Sequence, residues 1–244
     1  MPCRMMPRPT SQIVVNITAD ADDVNLFTLA GSPAGVVDVL CTISAGVTIG
    51  ATSTSTPAFR TGGFASGSTI RVVNYGRIAG HGGDGGNGGN NSGPVEPQTG
   101  DAGGDAVRLD DNVEWDNTTT GETFGGGGGG GGGGWDLAVF PNGPGGGGGG
   151  GQGSGTSSGG GGPGNADAGA DGDLSGRGAG GAGSSAGAKG GGGGTWGNSG
   201  SKGGSTSRST GKNGGSAGRA VRLNGNTITW LAGNNATQVK GSVS

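Results

Sequence analysis

Sixty-nine of the 244 residues are glycine, and many fall in uninterrupted tracts (residues 125–134, 145–151 and 190–194) framed by copies of a short β-type motif. A flexible linker mixes glycine with serine and needs no frame. Framed tracts imply that glycine is itself the building material. In an extended left-handed threefold helix the backbone rises about 3.1 Å per residue and makes no internal hydrogen bonds. Its N–H and C=O groups must bond to water or to neighbouring chains, and chains without Cβ lie close enough to bond to one another. Each glycine loses more backbone entropy on ordering than alanine would. Such a bundle therefore needs many lateral hydrogen bonds and Cα–H···O contacts formed together, and the expected assembly is cooperative.

Composition narrows the remainder. With 28% hydrophobic and 4% aromatic residues, a core of ordinary size is excluded. A Gly-, Ser- and Pro-rich chain without a strict period otherwise marks low-complexity disorder. There is no run of about 20 apolar residues, so no membrane insertion is expected. The opening MPCRMMPRPT is basic but lacks the apolar stretch of a secretory signal. Cys3 and Cys41 are too few for a disulfide framework and read as free thiols. The net charge of −3 hides an asymmetry: every acidic residue lies at or before Asp173, and only Arg177, Lys189, Lys202, Arg208, Lys212, Arg219, Arg222 and Lys240 are charged beyond it. A basic stretch of this kind contacts phosphate or acidic sugars or serves solubility alone.

Residues 11–80 read as β structure, with IVVNI at 13–17, VVDVLCTI at 36–43 and VTI at 47–49 broken by Gly, Pro and Ser. Three segments then repeat one design. IRVVNYGRIAG (70–80) runs into glycine; AVRL (106–109) leads to Trp115 and Phe124 and into the longest tract; AVRL (220–223) leads to Trp230 and Val239. A ribbon that recurs must stack on its copies to bury its apolar side, which predicts a platform of β rungs. The fold class is mainly β with little helix: an N-terminal β region and stacked β rungs plus a polyglycine II helix bundle. The expected division is an N-terminal attachment segment (1–35), a β domain (36–80), a polyglycine II bundle (81–219) with an inserted β rung at 106–124, and a C-terminal β rung (220–244).

An even number of traverses must return the chain from Phe124 to Ala220. Six are read: 125–134, 143–151, 159–164, 176–183, 187–194 and 211–218. The far-end connections are then 135–142, 165–175 and 195–210, with 91–99 closing the earlier excursion. The platform-side connections are 152–158 and 184–186. This arrangement gathers Trp135, Leu137, Val139, Phe140 and Trp196 at the far end. Large apolar groups on exposed loops mark a contact surface, or they close the open end of the bundle.

The motif IxVxNxGxIxG running straight into GGxGGxGG, with AVRL rungs between, resembles the glycine-rich tail-fibre and tail-tip adhesins of tailed bacteriophages. Residues 57–89 resemble the entry into the glycine-rich region of many phage tail proteins. The tracts with their variable joining loops are similar to the receptor-recognising adhesins that cap T-even long tail fibres. The resemblance covers residues from about 36 to 244, and the amino-terminal region departs from the T-even fibre-attachment domain. It implies a sandwich of polyglycine II helices whose distal loops bind an outer-membrane protein or surface polysaccharide. On this sequence those loops are 91–99, 135–142, 165–175 and 196–208. The implied receptor-binding residues are Asn91, Glu96, Trp135, Leu137, Phe140, Asn142, Asp171, Trp196, Lys202 and Arg208.

Catalytic chemistry is not offered. The single histidine, His81, stands at the start of a glycine tract and reads as a surface residue, so no Ser/His/Asp or Cys/His arrangement is available. GxGxxG occurs by composition alone. Gly211-Lys212 is followed by Asn213 where a phosphate-binding loop needs Ser or Thr. Asn165, Asp167, Asp171 and Asp173 alternate as calcium loops do, without the closing Glu. Asp84, Asp101 and Asp105 read as carboxylates that bond to glycine backbone. No enzyme, metal, cofactor or nucleic-acid partner is expected. The reading is a tail adhesin at the distal end of a virion fibre or tail tip, monomeric or homotrimeric, with other phage tail proteins as partners. The alternatives are a structural virion protein without a receptor role and an ice-binding glycine-rich protein.

Overall fold

The structure, a computed structural model, describes residues 11–90, 95–118, 120–136 and 143–244. In VDVLCTI the alternate residues Val37, Val39, Cys41 and Ile43 are buried and their neighbours are not, the period of a strand with one covered face. Strands β1 (Ser11–Ile17), β4 (Val37–Ile43), β7 (Thr69–Asn74), β10 (Val113–Asp116) and β13 (Ile228–Ala232) form one parallel sheet in that order. A second parallel sheet holds β2 (Ala21–Asp22), β5 (Thr48–Gly50), β8 (Arg77–Ala79), β11 (Glu122–Phe124) and β14 (Val239–Lys240). A third holds β3 (Val24–Asn25), β6 (Phe59–Arg60), β9 (Val107–Arg108) and β12 (Val221–Arg222). The chain visits the three sheets in turn and rises one strand at each pass, making a three-sided β-helix. One short helix, α1 (Leu26–Leu29), leaves the first rung, its amide at Phe27 capped by the Asn25 side chain.

Stacked rungs place like on like. Val15, Cys41, Val72, Trp115 and Trp230 lie in register up the first sheet, and the two AVRL copies pair as Val107 with Val221 and Arg108 with Arg222. Phe59 and Trp115 meet edge to face at 5.8 Å between ring centroids, and burying one such ring contributes about 1.5–3 kcal/mol. The buried indole must find an acceptor; Trp115 Nε1 donates to Asn117 Oδ1 at 2.8 Å, which also accepts from Asn74 Nδ2 at 3.1 Å. Cys41 is fully enclosed in this core and unpaired, and burial pushes its thiol up to about 12.

Pairing of β1 with β4 along its whole length corrects the boundary expected between residues 35 and 36. Residues 11–25 are the first rung of the same β-helix, because Val15, Ile17 and Val24 bury against the second. The rungs at 106–124 and 220–240 are likewise consecutive turns of that helix.

Between the second and third sheets the chain turns at a single corner whose length grows from rung to rung. It is Asp23 alone in the first rung, then residues 51–58, 80–106 and 125–220. Both glycine excursions leave from this corner on adjacent rungs, so they emerge side by side and form one bundle.

Every third residue of tract 125–134 bonds in the same direction. Gly127, Gly130 and Gly133 donate to the carbonyls of Gln152, Gly149 and Gly146; Gly126, Gly129 and Gly132 to Gly104, Asp101 and Gln98; Gly128, Gly131 and Gly134 to Asn198, Ser201 and Gly204. Its carbonyls accept, again in threes, from tracts 80–90, 187–195 and 210–219. The tract is thus a threefold helix bonded to six others, and tract 143–152 is bonded in the same way to 80–90, 125–134, 157–163, 166–173, 176–183 and 187–195. These two form the centre and eight tracts form the ring. The bundle is closed within one chain.

Sequence follows position in this lattice. The central tracts are unbroken glycine over 125–134 and 145–151 because a side chain there would strike a backbone. Tracts 80–90 and 187–195, each covered by four others, keep two glycines in three, as in HGGDGGNGGN. The outer tracts 166–173 and 198–205 need glycine only at every third residue, Gly169 and Gly172, and Gly200 and Gly203. This corrects the traverse count: eight run between Phe124 and Ala220, because 166–173 and 198–205, expected as loops, are traverses.

Candidate functional site

The direction of each traverse fixes where its connections lie. At the end away from the β-helix are the tract ends at 90, 95, 136 and 143 and the connections 163–166, 184–186 and 205–210; at the β-helix end are 152–157, 173–176 and 195–198. Several of the outer connections are closed by their own bonds or tied to one another. Asn90 and Val95 exchange backbone hydrogen bonds at 2.9 Å, and Asp136 and Gly143 pair as a bridge. Thr206 Oγ1 donates to the Trp135 carbonyl at 2.5 Å and Ser207 Oγ to Asp136 Oδ2 at 3.0 Å. Ser184 N donates to the Pro144 carbonyl at 3.1 Å, and Glu96 Oε2 accepts from Ser209 Oγ at 3.4 Å and lies 3.9 Å from Lys212 Nζ. Loops tied in this way present their exposed side chains on a fixed base.

Trp135 is half-buried at this end, its ring edge against Gly89. Among the described residues, its Nε1 and the Ser184 Oγ are buried polar atoms without a hydrogen-bond partner. A buried donor costs about 1–3 kcal/mol when unmet.

Of the residues singled out from sequence, Trp135, Glu96 and Arg208 stand at this outer end, the last two exposed. Lys202 lies on the side wall, on tract 198–205. Asp171 lies near the β-helix end of tract 166–173, where its Oδ1 accepts from Gly159 N at 2.8 Å. Asn91, Leu137, Phe140 and Asn142 lie outside the described residues.

Trp196 is a correction. Tract 187–195 returns toward the β-helix, so the turn that follows sits at the base. There the Trp196 ring packs on Phe124 at 5.6 Å between centroids, next to Ala79, and is 7% exposed. Lys240 Nζ caps the other partner, 4.3 Å from the Phe124 centroid. This aromatic pair joins bundle to β-helix. Conversely 184–186, expected at the base, lies at the outer end.

Asp84 and Asp105 bond to backbone, as does Asp173. Asp84 Oδ1 accepts from Ser158 N at 2.6 Å, and Asp105 Oδ1 from Arg219 N at 2.9 Å. Asp173 accepts from the Ser175 side chain and from the amides of Ser175 and Gly176, which hold its carboxyl below the usual carboxylate range. Among the described residues no three His, Cys, Asp or Glu side chains cluster as metal ligands, and no helix is long and apolar enough to cross a membrane.

A family profile described as phage tail fibre adhesin Gp38 matches residues 12–244. The chain belongs to that family. It is a bacteriophage tail-fibre adhesin of the virion, carried at the distal end of the fibre. Comparison with curated protein sequences yields no match. Among solved structures, the adhesin is similar to a chain in the crystal structure of the gp37-gp38 adhesin tip complex of the bacteriophage S16 long tail fibre, at 26% identity and a TM-score of 0.63, over 96% of this chain and 82% of that one.

Proposed function

We propose that the adhesin recognises its bacterial receptor through the five outer connections of the polyglycine II bundle, without catalysis. The observation that carries this reading is the separation of the two ends. One end continues into a stacked β-helix that supplies rigidity; the other gathers five loops, several of them tied to one another at their bases, with buried, unpartnered polar atoms at Trp135 and Ser184. The receptor is an outer-membrane protein or a surface polysaccharide, against which Trp135 supplies an aromatic face and Arg208 a charge-assisted donor. The S16 neighbour is solved as a complex of gp37 with gp38. By that likeness the β-helix end of this chain docks on a tail-fibre protein, with residues 1–35 contributing to the attachment. Val14 and Leu29, exposed on the terminal rung and the helix beside it, are available for the contact.

The test is competition. Host cells saturated with purified adhesin are expected to lose adsorption of the parent phage, and Trp135→Ala with Arg208→Ala to lose that competition while keeping the wild-type melting temperature. Undiminished adsorption on saturated cells would favour a structural role in the fibre.

A further inference from the structure

The side wall of the bundle carries a feature that the outer loops do not explain. Arg177 on tract 176–183, Lys189 on 187–195 and Lys202 on 198–205 line one open groove of about 410 Å³, with Gly180, Gly192 and Ser201 between them and no acidic residue in the lining. Seven other cations, Arg60, Arg71, Arg77, Arg108, Lys212, Arg219 and Arg222, each lie within 4.0 Å of a carboxylate, and Lys240 lies over the Phe124 ring; among the described residues Arg208, at the outer end, is the remaining cation outside the groove. Among the described residues Arg177, Lys189 and Lys202 have no such partner.

The lattice register orders the three charges along the groove. Gly193 N bonds to Gly178 O, Ser201 N to Gly192 O and Gly204 N to Lys189 O. Lys202 therefore sits about two residues, and Arg177 about five, from the level of Lys189. At about 3.1 Å per residue the charges span roughly 15 Å. The Arg177 guanidinium is anchored by one bond, Nη1 to Gly193 O at 3.0 Å, which leaves most of its donors free. The floor is open: on tract 187–195 the amides of 188, 191 and 194 bond to one neighbour and those of 190 and 193 to another. The amides of Lys189 and Gly192 are left turned outward. An added Cβ at Gly192 would meet only Gly178 O, at 3.6 Å. Linear anions are bound by such combinations of unpaired cations and accessible backbone N–H groups.

We propose that this groove binds the anionic groups, phosphate or carboxylate, of a bacterial-surface saccharide lying along the side of the bundle, as a second contact independent of the outer loops. Calorimetric titration of the full-length adhesin tests it with three probes: a phosphorylated lipopolysaccharide core oligosaccharide, the same oligosaccharide stripped of phosphate, and a polyuronate. The two anionic probes distinguish phosphate from carboxylate. At least one is expected to bind, with affinity that falls as salt is raised. Replacing two exposed charge contacts, Lys189→Gln with Lys202→Gln, is expected to weaken it about tenfold. Both side chains are exposed, so the variant should melt with the wild type. Unchanged affinity in this variant, loss in Arg208→Gln instead, or no binding of either anionic probe would overturn the proposal. Cell adsorption, read separately, reports on the outer loops and not on the groove.

Discussion

Gly129 lies at the centre of the bundle, and replacing it with alanine should cost stability out of proportion to one methyl group. Gly129 N donates to Asp101 O at 2.9 Å and its carbonyl accepts from Gly215 N at 2.7 Å. A Cβ would point at the carbonyl of Asp84, under the 3.0 Å that real Cβ atoms respect, and the obstacle is backbone, which cannot rotate away. Tract 80–90 would have to retreat, straining the bonds from Gly83 N to Gly127 O and from Gly86 N to Gly130 O, at 2.9 and 2.8 Å. Two bonds at about 1 kcal/mol each, with an overpacking cost of about 1–3 kcal/mol, less about 0.4–1 kcal/mol recovered from the stiffer unfolded chain, leave a net loss of about 2–5 kcal/mol. For a chain of this size the melting temperature should fall by roughly 4–20 °C. Gly192→Ala is the matched control, since its Cβ would make only ordinary contact at 3.6 Å; it should move the transition by no more than about 2 °C, if anything upward. Equal melting temperatures for the two variants would refute the lattice.

Three further outcomes are expected. Asn117→Ala removes the acceptor of the buried Trp115 indole and should cost about 2–3 kcal/mol, read as a lower denaturant midpoint at unchanged slope. Trp196→Ala opens the Phe124 contact at the base and should cost about 3 kcal/mol while sparing cell binding below its transition; lost binding at an unchanged melting temperature would put Trp196 back among the receptor contacts. Cys41, in a Cys3→Ser background, should resist thiol reagents at pH 8 until the chain unfolds. Its folded pKa of about 12 stands above the unfolded 9.0, so its contribution to stability is complete below pH 9.0 and is lost as pH rises toward 12; rapid labelling of the folded chain would contradict the burial.

The rungs were legible because their aromatic and AVRL positions recur and stack in register, Trp115 on Trp230 and Val107 on Val221. The central tracts were legible because only glycine survives there. IVVNI at 13–17 reads as a strand, but its membership of the rung stack is hidden by the strands that follow it, Ala21–Asp22 and Val24–Asn25, too short to show a period. Tracts 166–173 and 198–205 were hidden because an outer helix needs glycine at one position in three, and DAGADGD looks like a loop when pure tracts set the standard. That omission reversed the ends of two connections and sent Trp196 to the wrong one. Reading glycine at every third residue, in place of glycine runs, would have recovered both traverses. The side-wall groove was not legible at all, since Arg177, Lys189 and Lys202 meet only once the register of three tracts is known.

The central claim, that recognition belongs to the end away from the β-helix, is tested most directly by cell-binding curves for two sets of folded variants. One set changes Glu96, Trp135 and Arg208 to alanine at the outer end; the other changes Leu174, Ser175 and Trp196 to alanine at the β-helix end. The account predicts at least a tenfold loss of affinity, about 1.4 kcal/mol, for the outer set and none for the other; loss confined to the β-helix end would contradict it.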